Sequence, residues 1–186
     1  RSPELQARRR RYEDELGLSG EDAEILTREE ATADFFDAAL DADASPSGIA
    51  NWMVNELPRA VGGRTLENLA FGGDDFGTLV ARVEDGTLSS RAGREALAAM
   101  VESGDSPDTI IEREGLRQIT DADALAPVIR DVLDEHPDEA ERLRHGEHKL
   151  VGFFIGQVMR RTGGKAEPEL ARELIRRHAS RDVGAG

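Results

Sequence analysis

Three cationic residues surround a Gly-Gly turn near the carboxyl end of the sequence. Arg160 and Arg161 precede the turn, and Lys165 follows it. Such side chains can pair with phosphates and position a nucleic acid without reading its bases. A phosphate-cradling nucleotide loop is not indicated, because the earlier glycine spacing and a Ser or Thr after the lysine are missing. The competing interpretation is a solvated surface with favourable charge at a helix C-terminus.

Charge is divided unevenly along the chain. The 186 residues include 24 basic and 38 acidic ones, which gives a formal net charge of -14. Residues 144–186 contain nine basic and five acidic residues, so 15 basic and 33 acidic residues remain for the rest. Both lysines of the chain, Lys149 and Lys165, lie in the basic part. This asymmetry indicates a carboxyl-terminal part that faces a polyanion and an acidic part that supports it.

Two arginines of the last predicted helix could extend the basic surface. Arg172 and Arg176 are one helical turn apart and therefore share a face. Ion pairs within that helix are the competing interpretation. Glu169 can pair with Arg172, and Glu173 can pair with Arg177. The candidates for RNA binding are Lys149, Arg160, Arg161, Lys165, Arg172 and Arg176.

Four glycines are the structural candidates beside these cations. Gly152 and Gly156 are four residues apart and form a bare stripe, on which another helix can pack closely. Gly163 and Gly164 follow the helix and predict its end. Apolar residues next to the stripe are expected to form the core of a helical bundle.

Composition excludes several other classes of protein. With 38% hydrophobic and 33% charged residues, the chain is expected to be globular and soluble. The absence of cysteine excludes disulfide and thiolate chemistry and suits a cytoplasmic location. The longest apolar run, 151–155, is far shorter than the roughly 20 residues that cross a bilayer, so no membrane partner is expected. His145 and His148 lack a thiolate or a carboxylate cluster at ligand spacing, so no metal site is expected.

Apolar residues recur at helical spacing through nearly the whole chain, which predicts an all-α fold. We expect a helical-bundle domain at 19–118 and a small tail domain of three or four helices at 119–182. Residues 1–18 are expected to be a linker, and 183–186 a disordered end.

Local signals place some of the helix boundaries. Pro58 is expected to end a helix or to lie in its last turn. The glycine-rich interval 62–77 predicts a long connection, with a helix resuming near Asp75. Thr120 and Asp123 have the spacing of a capping box and predict the start of the tail domain's first helix.

Several ordered motifs carry a resemblance to a known family. Residues 152–160 (GFFIGQVMR) and 162–166 (TGGKA) resemble the signature of the GatB/YqeY tail family. Upstream matches agree with it, and the resemblance covers 8–179. They are RRRRY at 8–12, ELGLS at 15–19, ANW at 50–52, GTLS at 86–89, IIE at 110–112 and GLRQITD at 115–121.

The resemblance implies a helical, non-catalytic arm of a tRNA-dependent enzyme. In this family, the GatB subunit of an amidotransferase activates the misacylated tRNA with ATP and Mg in a separate catalytic domain, so no cofactor is expected in this chain. The expected partners are tRNA(Gln) or tRNA(Asn), gripped near the elbow, and amidotransferase subunits A and C. The same tail is also attached to some glutaminyl-tRNA synthetases, whose body is the other possible parent. No DNA partner is implied.

A second class of function remains open from the sequence. The acidic domain could dock to a partner subunit, so that the chain acts as a hinge or protein-interaction module without binding RNA. Specific retention of tRNA by the chain distinguishes a tRNA-binding arm from a hinge or protein-interaction module.

Overall fold

The computed structural model describes residues 2–183, with side chains through 180. The all-α prediction is confirmed, because the described residues contain no strand and only an isolated bridge between Ile119 and Ala166. Residues 184–186 of the expected disordered end lie outside the described residues. The α-helices are α1 Pro3–Asp14, α2 Gly20–Leu26, α3 Glu30–Ala39, α4 Pro46–Asn51, α5 Leu57–Val61, α6 Gly73–Glu84, α7 Ser90–Ser103, α8 Pro107–Glu114, α9 Ala122–Glu135, α10 Pro137–Arg144, α11 Leu150–Arg161 and α12 Pro168–Val183.

The chain divides into two compact units between Arg117 and Gln118. The first unit contains α1–α8, and the second contains α9–α12. Each unit has its own cluster of buried apolar side chains. Among the described helices, none combines the length and the apolar character needed to cross a bilayer.

Serine caps begin several helices of the first unit. The hydroxyl oxygens of Ser2, Ser19, Ser45, Ser89 and Ser106 each accept a hydrogen bond from the backbone N–H three residues later. Each bond satisfies an N–H that has no partner within its helix. Proline follows three of these serines at the first helical position, where its missing N–H costs nothing.

Residues 1–18 were expected to be a linker, and the structure differs. Most of this segment is helix α1, whose Tyr12 is fully buried in the first core. The Tyr12 ring meets Phe36 edge-on at a centroid distance of 4.8 Å, and its hydroxyl donates to Asp37 at 2.9 Å. Burial and the Asp37 carboxylate raise the pKa of Tyr12. Helix α1 therefore belongs to the first unit.

A π-helical turn joins α4 to α5, and no local signal in the sequence predicted it. The turn spans Trp52–Glu56, and the N–H of Leu57 bonds to the carbonyl of Trp52, five residues earlier. Pro58 follows directly and has no N–H to continue an α-helical ladder. The wider turn lets the helix continue through Pro58 to Val61, so this proline lies inside the last helical segment.

Helices α3 and α6 approach each other closely through two glycines. A Cβ added at Gly73 would lie 2.1 Å from the carbonyl oxygen of Phe35, and one at Gly77 would lie 2.3 Å from that of Ala39. The prediction of a long connection over 62–77 is therefore wrong at its end, where α6 begins at Gly73. These glycines serve helix packing rather than chain flexibility.

The second unit packs α9, α10, α11 and α12 around one core. Its fully buried side chains include Leu125, Ile129, Phe154 and Val158. Asp121 caps α9 by accepting a hydrogen bond from the N–H of Asp123 at 2.9 Å. The cap is thus one residue later than the predicted Thr120, because an Asp side chain can bond to the N–H two residues on.

Candidate nucleic-acid interface

Helix α11 separates its apolar residues from its cationic ones. The exposed face carries Lys149, just before the first turn, then Gly152, Gly156 and Arg160. These residues are three or four apart, so they line one side of the helix. The opposite face is buried in the second core through Val151, Phe154 and Val158. Burial of one face therefore fixes the direction in which the glycines and their flanking cations point.

The glycine stripe of α11 does not serve helix packing within the described residues. Gly152 and Gly156 are exposed, and a Cβ added at either would meet no atom within 4 Å. The expectation that another helix packs on the stripe is therefore corrected. The stripe is a smooth, open strip of helix surface, on which another molecule can approach the backbone more closely than side chains would normally allow.

The Gly-Gly turn ends α11, as the sequence predicts, and the structure shows that it forms a Schellman motif. Gly163 and Gly164 have φ of 61° and 77°, in the left-handed region that side chains disfavour. The N–H of Gly164 donates to the carbonyl of Met159 at 2.8 Å. Thr162 closes the turn, since its hydroxyl donates to Val158 at 2.9 Å and accepts from the N–H of Ala166 at 3.2 Å.

The backbone of Lys165 is fixed by a bridge to the start of the second unit. The N–H of Ile119 donates to the Lys165 carbonyl at 2.6 Å, and the Ile119 carbonyl accepts from Glu167 at 3.0 Å. The partly buried Lys165 thus follows a turn held at both ends. These bonds fix the Cα position from which the Lys165 side chain extends.

Arg161 differs from the other candidates because it forms an ion pair. Its guanidinium contacts the Glu135 carboxylate at the end of α9. The hydrogen bond between them raises the pKa of Arg161 and lowers that of Glu135. Both side chains are exposed, so screening by water weakens the pair. Arg161 must give up this carboxylate before it can pair with a phosphate.

The remaining candidates have no carboxylate within ion-pair distance among the residues whose side chains are described. Lys149, Arg160, Arg172 and Arg176 are exposed, and Lys165 is partly buried.

The intrahelical pairs proposed for α12 form only in part. Glu173 pairs with Arg177, whereas Glu169 does not pair with Arg172 within the described residues. Glu167 caps α12, because its carboxylate oxygens accept from the N–H groups of Glu169 at 3.1 Å and Leu170 at 2.7 Å. The amino end of α12 thus already holds an anion, and this carboxylate opposes a phosphate at the same position.

No local signal in the sequence associates Arg144 and His148 with Arg176. These three side chains line one open pocket between α10, the following loop and α12. Arg144 contributes to the basic charge of 144–186, and the spacing of His148 from His145 bears only on a metal site. Neither signal indicated that α10 and α12 bring them together, because helix packing does not follow from local spacing.

Arginines of the first unit are mostly paired. Arg82 makes a bidentate contact with Asp108, with N–O distances of 2.8 and 3.1 Å. This contact lowers the pKa of Asp108 and raises that of Arg82. The arginines of this unit that lie within 4 Å of a carboxylate are Arg8, Arg9, Arg11, Arg64, Arg82, Arg91, Arg113 and Arg117.

The fold and this surface define an all-α protein with two compact units, the second of which exposes cations beside a glycine-lined helix face. A family model described as GatB domain matches residues 34–178. The chain therefore belongs to the GatB domain family, which confirms the resemblance found in the motifs.

Named relatives agree with this assignment. The GatB subunit of the aspartyl/glutamyl-tRNA(Asn/Gln) amidotransferase of Synechocystis sp. is 41% identical over 176 residues, which are 93% of this chain and 36% of that protein. The same subunit from a Synechococcus sp. strain is 38% identical over 179 residues, 95% of this chain and 36% of that protein. The same subunit from Gloeothece citriformis is 39% identical over 176 residues, which are 93% of this chain and 36% of that protein. The chain spans 36% of the length of these curated relatives.

Proposed function

We propose that this chain is a tRNA-binding, non-catalytic part of the GatB subunit of an aspartyl/glutamyl-tRNA amidotransferase and grips the tRNA body near its elbow. The observation that carries the proposal is the exposed face of α11. Lys149 and Arg160 lie at its two ends without carboxylate partners among the described residues, and Lys165 follows the fixed turn. The named relatives are subunits of an enzyme that acts on tRNA, which favours RNA as the polyanion and a GatB subunit as the parent.

Local charge explains how a chain of net charge -14 could bind RNA. Cations that lack a protein anion can replace counterions on phosphates without first breaking an ion pair. Beyond about 10 Å, the acidic residues elsewhere are largely screened at ordinary salt. Gly152 and Gly156 would let the sugar-phosphate backbone approach the helix closely. Recognition in this mode depends on RNA shape and phosphate position rather than on base identity.

The proposed role is to raise the local concentration of tRNA for an attached catalytic domain. Contacts far from the reacting end convert part of the binding into an intramolecular event and so increase overall affinity. ATP and Mg would act in that other domain. The other amidotransferase subunits, A and C, would be protein partners of the whole assembly in the cytoplasm.

Equilibrium binding to tRNA(Gln) over a salt series tests this proposal. The wild-type chain is compared with Arg160→Ala, Lys165→Ala and the control Arg59→Ala, which removes an exposed arginine of the first unit. An unstructured RNA of equal length is the second ligand. We expect Arg160→Ala and Lys165→Ala to weaken tRNA binding and to reduce the salt slope by about one, and Arg59→Ala to change neither.

The alternative function gives a different result. No tRNA binding at low salt would overturn direct RNA contact by this chain, and equal binding by all four proteins would overturn contact through Arg160 and Lys165. Binding to another amidotransferase subunit without any effect of RNA would then favour the hinge or protein-interaction module.

A further inference from the structure

An open apolar pocket of about 420 Å³ lies on the first unit, between the end of α2, the start of α3, α5 and the loop after α5. Its floor consists of the buried side chains of Leu26, Met53 and Leu57. We infer that this pocket is a docking site for a partner protein, which inserts a large apolar side chain from a segment rich in lysine or arginine. The inference does not depend on RNA binding by the second unit.

The walls of the pocket are apolar and incompletely covered. Ile25, Ala31, Val61 and Leu66 line it and are partly exposed. Contact between these side chains and an apolar group of another molecule would remove apolar surface from water, which favours association. The volume lies in the range of about 300–1,000 Å³ that is usual for ligand pockets. Partner proteins commonly anchor themselves by a large side chain in a pocket of this kind.

The π-helical turn shapes one side of the pocket. Met53 belongs to this turn, and Leu57 and Pro58 follow it directly. Turns of this type occur often at functional sites. The unbranched thioether chain of methionine adapts its shape more readily than a branched side chain does. The side of the pocket near Met53 can therefore accommodate more than one kind of apolar side chain.

The rim of the pocket carries two carboxylates without an ion pair. Glu29 and Glu67 are exposed, and neither lies within ion-pair distance of a cation among the residues whose side chains are described. Arg64 does not neutralise them, because it donates to the Val101 carbonyl at 3.1 Å. Arg28 is a rim cation that also lacks an ion pair in the described part of the chain. The rim thus presents two carboxylates and one guanidinium to an incoming molecule.

The charge of the whole first unit favours a cationic occupant. Residues 1–117 contain 13 basic and 25 acidic residues, so the formal net charge of this unit is -12. Such a charge repels the phosphates of RNA and a second copy of the same unit, and it attracts a cationic segment. A basic polypeptide with an apolar anchor therefore complements the pocket in both polarity and charge.

Selection from a random peptide library displayed on phage identifies the chemistry that the pocket prefers. The bait is the immobilised full chain. The counter-bait is Ala31→Gln, which places a longer polar side chain at the pocket wall in the first turn of α3. Glutamine is a good helix former, so the fold should be retained. We expect the selected peptides to combine a large apolar residue with neighbouring lysines or arginines, and to bind Ala31→Gln about tenfold more weakly.

Methyl NMR of the full chain locates the bound peptide. Of the three methionines, Met53 lines the pocket, Met100 is fully buried in the same unit and Met159 lies in the second unit. A selected peptide should shift the methyl signal of Met53 and leave the other two unchanged. Glu67→Gln should weaken its binding about threefold. The control Glu15→Gln removes an exposed carboxylate that does not line the pocket, and it should change the affinity less than about 1.5-fold.

Other results would overturn the inference. It is wrong if no peptide is enriched over Ala31→Gln, if the selected peptides lack basic residues, or if they leave the Met53 signal unchanged. A Met53 signal that shifts with the concentration of the chain alone would assign the pocket to a second copy, and a shift with tRNA(Gln) would assign it to RNA. A lack of tRNA binding by the wild-type chain would contradict the proposed function and leave this inference intact.

Discussion

Two glycine pairs with the same spacing have opposite surroundings. Gly73 and Gly77 of α6 lie against the backbone of α3, where an added Cβ would come within 2.3 Å of a carbonyl oxygen. Gly152 and Gly156 of α11 face open space. The first pair is explained by helix packing inside the chain, and the second is not explained by any contact among the described residues. Identical spacing therefore predicts a bare helix strip without predicting what covers it.

The charged residues of the two units show a parallel difference. Eight arginines of the first unit lie beside carboxylates, whereas five of the six candidate cations of the second unit have none among the residues whose side chains are described. Paired arginines contribute to the fold of the first unit. Cations without protein partners remain available for an external anion.

The largest effect is expected where the packed glycine pair is disturbed. Gly73→Ala should lower the free energy of unfolding by about 3 kcal/mol, because a rigid carbonyl of α3 blocks the new methyl group. Urea denaturation followed by circular dichroism measures this change. Stability within about 0.5 kcal/mol of the wild type would show that α3 and α6 separate easily, and would remove the contrast between the glycine pairs.

The next prediction separates Arg160, which has no carboxylate partner among the described side chains, from the paired Arg161. Arg160→Gln should weaken tRNA binding about tenfold, and Arg161→Gln about twofold at most, because Arg161 must first leave Glu135. Glu135→Gln should tighten binding by about twofold, because it releases Arg161 and removes a nearby negative charge. Anisotropy titrations at one fixed salt concentration compare the variants. Equal losses of affinity for the two arginines would contradict the idea that the ion pair with Glu135 keeps Arg161 from binding RNA.

The open glycine pair should respond in the opposite direction from the packed one. Gly152→Ala and Gly156→Ala should each raise the free energy of unfolding by about 0.5–1 kcal/mol, because alanine favours a helix and its Cβ meets nothing. The same changes should weaken tRNA binding if the RNA backbone approaches the helix at these positions. Denaturation and tRNA titration of the same samples check both effects, and a loss of stability would reveal an unrecognised packing contact.

The smallest effect concerns a surface ion pair of the first unit. Asp108→Asn should cost about 0.5 kcal/mol at neutral pH, a value kept small because both partners are partly exposed. Arg82 lowers the pKa of Asp108 in the folded protein. The stabilisation by this ion pair is therefore present above the unfolded pKa of about 3.9, and it is lost as pH falls through the folded pKa. Stability curves of both proteins should therefore converge in acid. A difference that grows as pH falls would contradict this sign.

Much of the fold could be predicted from the sequence because its signals are local. Gly163 and Gly164 predicted the end of α11, which the structure confirms. The other parts of the fold depend on tertiary contacts, which local signals do not predict. Gly73 looked like part of a connection because its partner, the Phe35 carbonyl, is 38 positions away in sequence. The π-helical turn that precedes Pro58 has no local signal in the sequence.

The candidate site was predictable in its residue types but not in its partners. Spacing placed Gly152, Gly156 and Arg160 along one predicted helix, and the structure brings them, with Lys149 just before the helix, to one exposed face. The ion pair of Arg161 joins two helices, so sequence spacing could not reveal it. The pocket that joins Arg144 to Arg176 was missed for the same reason.

The salt dependence of tRNA binding in two charge-matched triple variants tests the central claim most directly. One variant carries Lys149→Gln, Arg160→Gln and Lys165→Gln in the second unit. The other removes three exposed arginines of the first unit, Arg28, Arg59 and Arg94. We predict that the first variant loses about three units of salt slope and at least a hundredfold in affinity at low salt, while the second stays near the wild type. Equal losses in both would show that net charge, rather than the face of α11, governs binding and would contradict the account.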